Sequence, residues 1–174
     1  HLPTSHDEII NALMTGKHAL CHPSIMCRKD AFDQVGKYIT GIGEDWDMYL
    51  RFGEKWKLAN VNEPLLRYRF HSTSINGKSM GELRRRIRHA CECSKRRTNG
   101  EETISYEDFV ALESKLGLVT QVSQRIEDLS RAYYHSSVAD ILGTAPLRGY
   151  FRLGVAALLS PHLTARRVWQ KVAG

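Results

Sequence analysis

Near Gly81 the hydrophobic pattern of the chain changes period, and this switch limits what the chain can become. From there on apolar residues recur every three or four positions, the spacing of one face of an α-helix, whereas the part before it mixes short helical and strand-like pieces. Leu83, Ile87, Ala90, Cys91 and Ser94 form one narrow stripe, while Arg84, Arg85, Arg86, Arg88, Lys95, Arg96 and Arg97 cover the rest of that helix. The default reading of those arginines is a solvated basic face. Further helices are expected over Ser105–Leu116, with Ser105 as cap, over Val122–Leu142, from Pro146 to the Ser160-Pro161 break, and from about Thr164 to Gly174. Residues 79–174 thus read as a helical C-terminal region behind a mixed N-terminal part, residues 1–78.

The N-terminal part reads as alternating elements. Ile9, Ile10, Leu13 and Met14 fall at helical spacing, with Ser5 or Asp7 as cap and Gly16 as stop. Ala19–Cys27 is an apolar segment broken by His22-Pro23, expected to be a kinked strand with His22 in a structural role. Arg28–Val35 is a short helix ended by Gly36. A second strand is expected over Trp56–Val61, and Asn62-Glu63-Pro64 is a turn. Leu65–Phe70 alternates Leu66, Tyr68 and Phe70 with Leu65, Arg67 and Arg69, which is strand-like, and His71 and a polar loop follow.

Between these lies an acidic pair, Glu44-Asp45, at the start of a helix carrying Trp46, Tyr49, Leu50 and Phe52 on its apolar side and Asp47, Arg51 and Glu54 on the other. Carboxylates are favoured there for a structural reason, because a first helical turn presents unpaired N–H groups and the positive end of the helix dipole. They also suit general-base chemistry, taking the proton of an attacking hydroxyl. Residue types alone leave both readings open.

His22-Pro23-Ser24-Ile25-Met26-Cys27-Arg28, Gly36-Lys37-Tyr38, Glu44-Asp45-Trp46-Asp47 with Leu50-Arg51, and Leu65-Leu66-Arg67-Tyr68-Arg69-Phe70-His71 with Ser72 and Ser74, in this order, resemble glycosyltransferase family 2. The resemblance implies an α/β, GT-A-like fold, of which this chain would be the acceptor-side fragment followed by a helical tail. The expected activity is inverting transfer of a sugar from a nucleotide-sugar donor to a sugar or lipid-linked acceptor, in polysaccharide or glycoconjugate synthesis, with a divalent metal (Mg or Mn). Carried over by position, Asp45 matches the catalytic base and Glu44 its acidic neighbour. His71 and Arg69 match the loop over the donor diphosphate and metal, with His71 as a metal ligand. Asp45-Trp46-Asp47 spells DxD but lies downstream of the metal motif's place, so Asp47 is not assigned to metal. The nucleotide-binding half is not found in these residues, and the chain alone is expected to be inactive.

Composition narrows the alternatives. With 174 residues, a formal charge of +6 and a pI near 9.3, the chain suits anionic partners such as nucleotide diphosphates, anionic lipid or nucleic acid. The arginines lack interleaved aromatics, which disfavours nucleic acid. Cys21, Cys27, Cys91 and Cys93 have no CxxC spacing and read as reduced thiols. No signal peptide and no bilayer-length apolar run is present, so a cytoplasmic site is expected, with peripheral attachment at the inner face of the membrane as an option. The runner-up reading of the whole chain is a helical interaction or membrane-surface module without catalysis.

Overall fold

In a computed structural model of the chain, the described residues are 2–39, 41–67, 79–163 and 165. Every regular element among them is helical: α1 His6–Met14, a 3₁₀ turn at His22–Ser24, α2 Lys29–Val35, α3 Glu44–Lys55, α4 Met80–Thr98, α5 Tyr106–Ser114, α6 Leu118–Leu142 and α7 Pro146–Leu159. The chain divides into two compact units, His1–Arg67 with Arg84–Phe109, and Tyr68–Leu83 with Val110–Gly174.

This overturns the α/β expectation and the family resemblance built on it. No strand occurs among the described residues, and an all-α arrangement is not a GT-A fold. The segments expected as strands are extended locally: Cys21 (φ −102°, ψ 106°), Ile25 (φ −74°, ψ 136°) and Trp56 (φ −134°, ψ 159°) all lie in the β region. Extended backbone becomes a sheet only when a neighbour completes the ladder. Here other groups meet the polar backbone instead. The Leu58 N–H donates to His6 Nδ1 at 3.2 Å, and Asn60 Nδ2 donates to the carbonyls of Pro3 and Ala19, both at 2.7 Å. Pro23, the second residue of the 3₁₀ turn, adds a residue without an N–H. Of Leu65–Phe70, residues 65–67 form no ladder, and the rest lies outside the described residues.

In the first unit α1 and α2 both pack on α3. Ser5 caps α1, and the Glu8 carboxylate accepts from the Ser5 hydroxyl at 2.8 Å and its N–H at 3.3 Å. Ile9 and Leu13 of α1, Met48 and Leu50 of α3 and Ile87 and Ala90 of α4 are buried. Gly53 faces Ile10 of α1, whose Cδ1 would lie 2.2 Å from a Cβ placed there and would have to turn aside. Trp46 is buried and donates from its indole to the Leu13 carbonyl at 3.2 Å, meeting an end-of-helix acceptor of α1.

The arginine-rich helix α4 differs from the solvated face expected of it. Arg84 donates to the Gly16 carbonyl at 2.7 Å, Arg86 lies over the Tyr106 ring at 4.1 Å, and Arg97 donates to Glu54 from Nε and Nη2, both at 2.8 Å at their shortest. Ser94 donates to the same carboxylate at 2.8 Å. The guanidinium stems thus hold α4 against the rest of the unit, with packing as well as charge.

The second unit is built on the α6–α7 hairpin, joined by the short loop Gly143–Ala145 and therefore antiparallel. The helices approach closely through small residues. Ser130 Oγ donates to the Ala156 carbonyl at 2.9 Å, and a Cβ on Gly149 would lie 2.8 Å from the Ile141 nitrogen and 2.9 Å from the Ser137 oxygen. Asp140, almost fully buried, accepts from Arg148 at 2.7 and 3.0 Å and from Arg152 at 2.7 Å.

Candidate functional site

The acidic pair stands at the first turn of α3. Gly43 precedes it as N-cap with φ 77°, a left-handed conformation that glycine adopts without a Cβ clash. No side chain caps this helix, so neither Glu44 nor Asp45 is consumed as a cap, although both gain from the helix dipole. Glu44 is exposed and Asp45 half-buried.

One turn on, at the i+4 spacing that shares a face with Asp45, stands Tyr49. It is buried at 2 % exposure, and its hydroxyl is 3.1 Å from His22 Nδ1. Burial pushes the phenol well above the ordinary tyrosine range, and the Asp45 carboxylate adds to this as a neighbouring charge and as an acceptor facing the hydroxyl. A phenol has one proton. The His22 tautomer sets whether the phenol donates to Nδ1 or accepts from it, and Asp45 stands one turn back on the same helix face. Tyr38 closes the cluster: its ring meets His22 edge-on at 5.8 Å, and burial, then Cys27, Glu44 and Asp45, raise its phenol too.

Tyr49 also forms one wall of a cleft of about 660 Å³, within the size range of small-molecule sites. Leu20, Met48, Phe52, Trp56 and Leu58 give it an apolar lining, and Cys21, Arg28 and Lys57 supply polar groups.

Asp47, the second aspartate of the DxD spelling, has a structural place. It is buried, accepts from Arg51 Nε at 2.7 Å, and lies 3.7 Å from Arg97. Arg51 in turn donates to the carbonyls of Val35, Gly36 (3.3 Å) and Lys37 (3.0 Å), closing the C-terminal end of α2. Asp47 and Arg51, read from sequence as the outward side of the helix, therefore join α3 to α2.

Of the four site residues expected, Glu44 and Asp45 stand together, and Arg69 and His71 lie outside the described residues. Tyr49 was legible only as part of an apolar face and His22 only as structural; the Asp45–Tyr49 spacing of four was the available signal. Among the described residues no group of three or more His, Cys, Asp or Glu side chains could hold a metal ion. Also among them, no helix is long and apolar enough to cross a membrane. The four cysteines are free thiols, with Cys91 and Cys93 buried.

Comparison of the chain with protein families, with curated proteins and with solved structures returned no match.

Proposed function

We propose that this chain supplies the acceptor-activating carboxylate of a transferase that moves a sugar from a nucleotide-sugar donor to an acceptor hydroxyl, with Asp45 as the base. The observation that carries the reading is the pairing of Asp45, at a helix start and not spent on capping, with a buried Tyr49 phenol held by His22. Such an arrangement fixes the carboxylate's neighbours while leaving it half-exposed to a reactant.

In the proposed step an acceptor O–H gives its proton to the Asp45 carboxylate as the oxygen attacks the anomeric carbon, and the bond from that carbon to the nucleoside diphosphate breaks. Tyr49 and His22 position the carboxylate. Glu44 stands exposed beside it at the same helix start. The apolar cleft along Tyr49 suits the less polar part of an acceptor. The described residues offer no ligand set for a divalent cation, and the base role of Asp45 does not run through one. The net charge of +6 suits an anionic donor.

The test is transfer by the complete protein, assayed as nucleoside diphosphate release from a panel of nucleotide sugars with and without acceptor. Acceptor-dependent release that is lost in Asp45→Asn supports the proposal, and release unchanged by that substitution refutes it.

A further inference from the structure

Helix α7 carries two opposed faces. Gly149 and Ala156 are buried against α6. At 100° per residue Leu147, Phe151, Gly154 and Leu158 follow at i, i+4, i+7 and i+11 on the far side, with Tyr150 beside them. These side chains are open to solvent: Leu147 is 86 % exposed, Phe151 71 % and Leu158 84 %. Arg148 flanks this stripe, Arg152 lies between it and the buried face, and no acidic residue occurs in α7.

Exposed leucines and aromatics along one arc, with cations at its edge and no acid in the helix, match a helix lying in the plane of a lipid surface. Two guanidiniums share the one Asp140 carboxylate, leaving that edge positive by one charge. The same ion pairs fix the rotation of α7 on α6, so the apolar arc is held outward. The excess charge of the whole chain, +6, opposes self-association and favours an anionic surface. We infer that this face of α7 docks on anionic lipid, with Leu147, Tyr150, Phe151 and Leu158 entering the boundary between headgroups and acyl chains and Arg148 at the level of the phosphates. The inference stands independently of the role of Asp45.

The test is co-sedimentation of the full chain with phosphatidylcholine vesicles and with vesicles of equal parts phosphatidylcholine and phosphatidylglycerol. The chain is expected to pellet with the anionic vesicles at least about tenfold more strongly than with the neutral ones, and less so at high salt. A Leu147→Glu, Phe151→Glu double variant, at exposed positions that leave the helical circular dichroism unchanged, is expected to lose at least about tenfold in binding. Met26→Glu, equally exposed but outside α7, is expected to bind as wild type. Absence of binding to anionic vesicles, or equal binding by the double variant, would overturn the inference. So would a wild-type dimer, seen by sedimentation velocity, that the double variant dissociates, since a second copy would then be the occupant.

Discussion

The Tyr49 hydroxyl and His22 Nδ1 meet at 3.1 Å across 27 residues of chain, and this contact ties the 3₁₀ turn at His22–Ser24 to α3 one turn beyond its acidic start. Burial raises the Tyr49 pKa, and its sign is definite: a raised phenol pKa stabilises the fold below the ordinary tyrosine value, and the contribution is lost as pH rises through the folded one. In an alkaline absorbance titration, one of the seven tyrosines is therefore expected to ionise only as the protein unfolds. Tyr49→Phe removes that delayed step; a titration in which all tyrosines ionise together at the ordinary value would contradict the assignment.

Asp47 and Arg51 form a pair whose side chains are 10 % and 16 % exposed. Removing one member of a buried pair leaves the other charge poorly solvated. Asp47→Ala is expected to destabilise the protein by about 3 kcal/mol in denaturant unfolding, far more than the 0–1 kcal/mol typical of a surface pair. Lys29→Ala, which breaks an exposed pair with Asp33, is the control and should change little.

Gly149 sits where α7 touches α6 backbone. Because the atoms that a Cβ would strike include the Ile141 nitrogen and the Ser137 oxygen, no side-chain rotation relieves the clash. Gly149→Ala is expected to lower stability by about 1–3 kcal/mol despite the better helix propensity of alanine. Gly154→Ala, with open space at its Cβ, is expected to be neutral or stabilising in the same thermal unfolding measurement.

His89 donates from Nε2 to the Ile104 carbonyl at 2.8 Å and faces Cys93 Sγ at 3.3 Å. The Cys93 contact chiefly, then the Ile104 carbonyl, raise its pKa above the ordinary histidine value against the opposing effect of burial. The charged imidazolium therefore stabilises this cluster below the ordinary value, and that contribution is lost as pH rises through the raised one. An imidazole titration by NMR should place His89 above the ordinary value, and Cys93→Ala should lower it.

Helices with strong periodicity were legible in the sequence. The expected Arg28–Val35 became Lys29–Val35, and Val122–Leu142 became Leu118–Leu142, because apolar spacing and flanking glycines are local properties. Trp56–Val61 was not legible as loop. Its composition suits a strand, but a strand exists only through a partner, and the groups that meet its backbone, His6 Nδ1 at the Leu58 N–H and the Thr4 carbonyl at the Asn60 N–H, lie more than fifty residues away in sequence. The same limit hid the site: Glu44 and Asp45 could be placed at a helix start from sequence, whereas His22 reaches Tyr49 only in the folded unit. The arginines of α4 misled in the opposite direction. Their charge suggested solvent, and their bonds to Gly16 and Glu54 show clamps.

The central claim is that Asp45 takes the proton of the acceptor hydroxyl. It is tested most directly by the kcat of sugar transfer for wild type and Asp45→Asn in the complete protein, with unfolding curves confirming that both are folded. General-base catalysis is worth about 10²–10⁴-fold, so Asp45→Asn is expected to lose at least about 10²-fold in kcat. A folded Asp45→Asn protein that transfers sugar at the wild-type rate would contradict the account.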